Sequence, residues 1–138
     1  DERVIVMERT NARYVEVLDE PVSLVVVDAS FISLRLLLPV IKGWLTPKAD
    51  VITLIKPQFE AGKKDVGKGG VVRDPDIHRR VLIEITDFAH DTGFTIAGLT
   101  ISPIKGPAGN IEFLAWLHQG EDVPVIDITE RIESLITG

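Results

Sequence analysis

Val22-Ser23-Leu24-Val25-Val26-Val27-Asp28 is a nearly continuous β-branched run that stops on a carboxylate. A strand wet on one face alternates polar and apolar residues, whereas a run apolar on both sides of its pleat suits a parallel strand covered on both faces. Residues 51–55, Val-Ile-Thr-Leu-Ile, repeat the pattern and stop at Lys56-Pro57, where proline cannot continue a ladder. Residues 4–7, Val-Ile-Val-Met, make a third, shorter run. Between the two longer runs, Ser30 or Ser33 is placed to cap a helix reaching about residue 45, with Pro39 inside it and Gly43 and Pro47 closing it.

Further along, residues 60–70 hold four glycines and three lysines without periodicity and read as a mobile loop. Asp74-Pro75 is a cap followed by proline at the first helical position, and Ile77, Val81, Ile85, Phe88 and Ala89 keep helical spacing until Gly93. A strand over 94–101, a turn at Gly106-Pro107-Ala108-Gly109, and a strand over 111–117 with Ile111, Phe113, Ala115 and Leu117 on one pleat form a C-terminal hairpin. A short helix over 128–136 ends the pattern. The order is that of an α/β domain with a parallel sheet and an antiparallel final pair.

The chain has 138 residues, 45% of them hydrophobic and 26% charged, enough for one core and too apolar for wholesale disorder. With no cysteine it has no disulfide framework, thiolate metal site or cysteine nucleophile, and a reducing, cytoplasmic setting is expected. Asp28, Arg35 and Lys42 interrupt its most hydrophobic region, so no membrane span or membrane partner is expected. The net charge is −6, yet residues 56–73 carry five basic side chains (Lys56, Lys63, Lys64, Lys68, Arg73) against Glu60 and Asp65. That segment is +3 and the remainder −9: an acidic body with one basic patch, readable as a solvated loop or as an anion site. His78, His90 and His118 share no spacing and no acidic triad, which argues against a metal site. Trp44 and Trp116 read as packing or rim residues.

In open α/β sheets ligands lie beyond the carboxyl ends of the strands. Asp28 and Lys56 end two such strands. Glu112 begins the last strand, and in an antiparallel strand the amino end lies on that same rim, so all three are expected at one crevice. On its own, the alternation of 111–117 puts Glu112 on the pleat opposite its apolar neighbours, where solvent exposure is the plain reading. Glu8 and Asn11 follow a strand at the rim, although turn capping explains Asn11 as well.

Four ordered blocks carry a resemblance: Asp-Ala-Ser-Phe-Ile-Ser-Leu (28–34), Leu-Ile-Lys-Pro-Gln-Phe-Glu (54–60), Gly-Gly-Val-Val-Arg-Asp-Pro (69–75) and Ser-Pro-Ile-Lys-Gly-Pro-Ala-Gly-Asn-Ile-Glu-Phe (102–113). With the opening Arg-Val-Ile-Val-Met-Glu-Arg-Thr-Asn-Ala-Arg (3–13), they resemble the TlyA or hemolysin A type of FtsJ-like ribosomal RNA 2′-O-methyltransferases. The resemblance implies a class I, Rossmann-like methyltransferase fold, S-adenosylmethionine as cofactor, and ribosomal RNA or ribosomal subunits as partner. Of the family's Lys-Asp-Lys-Glu catalytic set it implies Asp28, Lys56 and Glu112, with Glu8, Asn11 and Asp28 toward the cofactor.

By the same resemblance, residues 1–138 correspond to a partial methyltransferase domain. The first catalytic lysine, the glycine-rich cofactor loop with its strand, the following acidic strand end and an S4-type RNA-binding domain have no counterpart in these residues. The family's two first strands lie between its third and fourth, so the strand over 4–7 is expected to lack a neighbour. The strand over 22–27 is then expected to expose an apolar edge through which the chain self-associates.

Methyl transfer from a sulfonium to a ribose hydroxyl is an in-line displacement in which the protein aligns the reactants and handles one proton. Lys56 suits the proton, with Asp28 and Glu112 positioning the lysine. Two other readings stand beside this one. Asp-Ala-Ser-Phe is similar to the Asp-Pro-Pro-Tyr motif of amino-methyltransferases, with Phe31 stacking a flipped base, but then Lys56 and Glu112 have no role. The hemolysin name suggests a membrane-active protein without enzymatic function, but no segment is both amphipathic and basic enough to lie on a bilayer.

Overall fold

In the computed structural model, residues 4–8 are described as backbone and residues 20–137 in full. The β-branched run is strand β2 (Val22–Asp28), one of five in a single sheet with β1 (Val4–Glu8), β3 (Leu45–Ile55), β4 (Thr95–Ile101) and β5 (Phe113–Gln119). The spatial order is β1-β2-β3-β5-β4. β1 and β2 pair in parallel, as do β2 and β3, while β5 runs against both β3 and β4. The expected adjacency of the strands ending at Asp28 and Lys56, with the Glu112 strand antiparallel beside the second, is what the sheet shows.

The expected gap beside β2 is corrected. β1 hydrogen-bonds directly to β2, with Val4 opposite Leu24 and Glu8 opposite Asp28. An edge of unpaired amides and carbonyls is costly beside apolar side chains, and a second β-branched run satisfies it. Among the described residues the outer strand on that side is β1, so the self-association expected through β2 has no open β2 edge to use.

Helix α1 (Leu34–Lys42) starts at Ser33, whose Oγ accepts from the Arg35 amide at 3.0 Å, and it buries Leu34, Leu37, Leu38 and Ile41. It ends three residues before the expected boundary. Trp44, 1% exposed, takes its amide to the Ile41 carbonyl and gives its own carbonyl to the Val22 amide at 2.8 Å, so the chain is already captured by the sheet at Leu45. Helix α3 (Pro75–Asp91) begins where the cap predicts, with Asp74 accepting from the Asp76 amide, and it buries Val81, Leu82, Ile85 and Ala89. α1 and α3 cover one sheet face, closing a core over Val25, Val27, Val51, Ile55, Phe113, Ala115 and Leu117. Helix α4 (Ile128–Thr137) lies against α3 and β4.

Residues 60–70 are not the aperiodic loop that the sequence suggests. A one-turn helix α2 (Pro57–Glu60) leads through Ala61 into a 3-10 turn at Lys63–Asp65. The Gly67 amide then bonds the Val71 carbonyl at 2.8 Å, and Asp65 pairs with Arg80 at 2.8 Å. These partners lie on α3 and on the far side of the turn, where no local pattern reveals them.

Candidate active site

β2 and β3 deliver Asp28 and Lys56 to the same rim because they are parallel neighbours. Lys56 Nζ lies 2.5 Å from Asp28 Oδ1 and donates to Ser30 Oγ at 3.1 Å, with the lysine side chain 10% exposed and the aspartate 46%. An ammonium has three donors. Two are thereby used, and the third has no partner among the described residues.

Glu112 reaches the rim from the other side. It precedes β5 by one residue instead of starting it, and it is 5% exposed, which corrects the reading that puts it in solvent. Gln58 Nε2 donates to Glu112 Oε2 at 2.8 Å. Asp28, Ser30, Lys56, Ser102, Lys105 and Glu112 line one crevice of about 540 Å³. The structure therefore gathers the three residues singled out by motif. Glu8 is the register partner of Asp28, which sets its backbone on the same rim. Asn11 lies outside the described residues.

The block around Lys56 serves three neighbours at once. Pro57 sits at the first position of α2, and the single turn then sends its side chains apart. Gln58 goes to Glu112, Phe59 packs on Phe31 with centroids 4.7 Å apart, and Glu60 turns back to α1. Glu60 accepts from the Leu34 amide at 2.8 Å and from Ser33 Oγ at 2.7 Å, which fixes the loop that follows Asp28. Burial raises the Glu60 carboxyl above its usual value, opposed by those two hydrogen bonds and by Arg35.

The block over 69–75 is a buttress. Asn110 accepts from the Val72 amide at 3.0 Å and donates to the carbonyls of Gly70 and Pro107, tying that segment to the turn ahead of Glu112. Gly69 and Gly70 both have positive φ, a conformation side chains resist. Phe31 adopts it without being glycine, at φ 65°, and stands 89% exposed three residues past Asp28. An aromatic side chain is thus held in solvent on a backbone conformation that costs free energy. Lys63 lines a shallow hollow with Phe31 and Phe59, and Lys63, Lys64 and Lys68 are exposed.

Ser30, Gln58, Glu60 and Asn110 were not singled out from sequence, although all stand inside the four blocks. The available signal was their place as polar residues within a few positions of Asp28, Lys56 and Glu112. An aperiodic turn gives no reason to choose among them.

His118 is a second correction. Its ring, 6% exposed, lies 2.6 Å from Asp50 Oδ1 through Nδ1 and 2.6 Å from Asp122 Oδ1 through Nε2, so two carboxylates do flank it. Trp116 Nε1 also donates to Asp50 at 2.6 Å. These groups sit away from the crevice rim. Among the described residues no three His, Cys, Asp or Glu side chains gather as a metal site. A larger trough of about 620 Å³ over Ile52, Leu114, Trp116 and Arg131 lies on the sheet face opposite α1 and α3 and shares no residue with the crevice.

A mostly parallel sheet with a carboxylate-held lysine and a buried glutamate along one rim defines an α/β domain, a class in which ligands bind at that rim. The chain belongs to the FtsJ-like methyltransferase family, which matches residues 1–119. It is 46% identical over 96% of its length to YqxC of Bacillus subtilis (strain 168), a protein named for rRNA methyl transfer, of which it covers 50%. It is 45% identical over 88% of its length to the 16S/23S rRNA (cytidine-2′-O)-methyltransferase TlyA of Mycobacterium tuberculosis (strain ATCC 25618 / H37Rv), covering 46% of it. A solved Streptococcus thermophilus structure, named for the hemolysins, superposes with a TM-score of 0.84 at 44% identity over 99% of this chain and 50% of that one. The chain spans about half the length of the relatives it matches. No helix among the described residues is long and apolar enough to cross a membrane.

Proposed function

We propose that this chain carries the acceptor side of an S-adenosylmethionine-dependent ribosomal RNA ribose 2′-O-methyltransferase, with Lys56, Asp28 and Glu112 as its reacting-site residues. The observation that carries the reading is the short Lys56–Asp28 contact in the same crevice as Glu112. A surface ion pair would be exposed at both partners, whereas this lysine is almost wholly enclosed with a donor to spare.

The crevice suits one side of the cofactor. Asp28 is half exposed on the rim, and Glu8 stands opposite it in the parallel ladder, so two acidic positions lie along the rim open to a ligand that carries a sulfonium, an ammonium and ribose hydroxyls. Asp28 and Glu8 would hold that ligand, with Asn11 following on the same connection. When bound, S-adenosylmethionine supplies an activated methyl group. Everything else falls to the chain. Asp28 and Ser30 hold Lys56 Nζ in place, and its third N–H meets the acceptor oxygen and stabilises the negative charge that grows there as the methyl carbon bonds to it and the hydroxyl proton passes to water. Glu112 bounds the crevice opposite and limits how the acceptor can enter.

The exposed Phe31 offers a face for the acceptor's base, and Lys63 beside it a cation for a phosphate. That face would serve an amino-methyltransferase equally, but such chemistry leaves the enclosed lysine unused. In the full-length protein, Lys56→Ala should lower methyl transfer to ribosomal subunits by about 100-fold or more, as expected for loss of a donor that stabilises charge at the reacting oxygen. Cofactor affinity by calorimetry should stay within about threefold, an allowance well under the 1.4 kcal/mol that a tenfold change represents. Parental turnover in Lys56→Ala would overturn the reading in favour of transfer to a base amine.

A further inference from the structure

We infer that Gln58 and Gly106 form a seat for the Glu112 carboxylate, which makes Gln58 a positioning residue for methyl transfer; the inference rests on the site reading above. A carboxylate as enclosed as Glu112 needs hydrogen-bond donors, and among the described residues the one that reaches it is Gln58 Nε2 at 2.8 Å. The amide orientation follows, because turning it over would set the Gln58 oxygen against a group that only accepts.

The other half of the amide shows what Gln58 is for. Gln58 Oε1 is buried and has no hydrogen-bond partner among the described residues. An orphaned buried acceptor works against folding, and an apolar side chain of equal length would relieve it. What such a side chain would give up is the hold on Glu112.

Gly106 forms the adjoining wall. Its φ of −77° is open to any residue, so backbone freedom does not explain the glycine. A Cβ there would overlap Glu112 Oε2 and crowd Gln58 Nε2 at 3.3 Å. The Gly106 amide bonds the Asn110 carbonyl at 2.8 Å, so the turn that supplies the wall also leads into Glu112. The carboxylate is thus held by a donor and admitted beside it by a missing methyl group, and the two come from segments 48 positions apart.

The test is a pair of double-mutant cycles in the full-length protein. Gln58→Met keeps the length and removes the donor. It should lower kcat by about 10-fold to 100-fold, the usual size for loss of an outer partner, while KM for cofactor and for ribosomal subunits moves less than about threefold. In a Glu112→Ala background the same change should alter kcat by less than about twofold, because its target is gone. Gly106→Ala should lower both kcat and the thermal midpoint in the parent, and it should leave the midpoint nearly unchanged beside Glu112→Ala, where the side chain it strikes has been removed. Independent, multiplying effects of Gln58→Met and Glu112→Ala would overturn the seat. So would an equal loss of midpoint from Gly106→Ala in both backgrounds. With Lys56→Ala in the same assay the two readings separate. If Lys56→Ala abolishes turnover and Gln58→Met keeps the parental kcat, the seat alone falls; if Lys56→Ala keeps turnover, the site reading falls and takes the seat with it.

Discussion

The two ends of the β3–β5 ladder hold charge in opposite ways. At the crevice end, Lys56 meets one carboxylate and one hydroxyl and retains a donor. Six residues back, about 20 Å along the strand, Asp50 accepts from Trp116 and faces His118, whose other nitrogen faces Asp122. Carboxylates only accept, so two of them on one ring hold both nitrogens protonated. The second end is closed, with every donor of the ring used; the first is open. A closed cluster contributes to the fold, whereas an open one in a crevice is available to a ligand.

The largest expected effect breaks the comparison at the open end. Lys56→Ala should remove most methyl transfer, about 100-fold or more, yet shift the thermal midpoint little, because the aspartate left behind is half exposed and can be solvated. A fall in midpoint as large as that of a core truncation would show the lysine to be structural.

The closed end should respond the other way. His118→Ala is expected to cost about 1–3 kcal/mol, the range for losing a buried hydrogen-bonded group, seen as a lower midpoint by thermal denaturation. Turnover at temperatures well below the midpoint should hold. A turnover loss without a stability loss would tie this end to the site and end the contrast.

A pH titration sharpens the same point. The hydrogen bond to Asp50, and after it the one to Asp122, holds the His118 pKa above its usual value. A base raised on folding lends stability that is complete below its unfolded value near 6.5 and is lost as pH rises through the folded value. Asp122 is held below its usual value chiefly by His118, so its share is present above about pH 3.8 and lost as pH falls through the lowered one. The midpoint difference between parent and His118→Gln should therefore be greatest between those limits and shrink as pH rises through the raised value. A difference that grows with pH would remove the imidazolium. NMR titration of the ring reads the same event directly.

The smallest effect concerns Glu60, which links α2 to α1. Its carboxyl is raised by burial, so its charged form is a burden at neutral pH that protonation relieves. Glu60→Gln should leave the midpoint within a degree or two, or raise it. Glu60→Ala should lower it by about 1–2 kcal/mol in stability, because the Leu34 amide and Ser33 hydroxyl lose their acceptor. Equal losses from both would mean that the charge itself is what α1 requires.

Local pattern determined much of this protein. The β-branched runs at 22–28 and 51–55, the Asp74-Pro75 cap, the apolar spacing through Ala89 and the glycine turn before Glu112 each name their own structure, because hydrophobic period and backbone restriction act over a few residues. Asp28, Lys56 and Glu112 were legible by motif, and the rim argument put them together once the strand directions were known. Only the tertiary structure decided that β1 pairs with β2, that α1 yields to the sheet at Trp44, and that the loop after Glu60 is tied down by α3. It alone placed Gln58 under Glu112 and His118 between Asp50 and Asp122. Those contacts join groups as many as 68 positions apart. A polar side chain carries no mark of which distant donor or acceptor will satisfy it, because that partner exists only when folding closes the space between them.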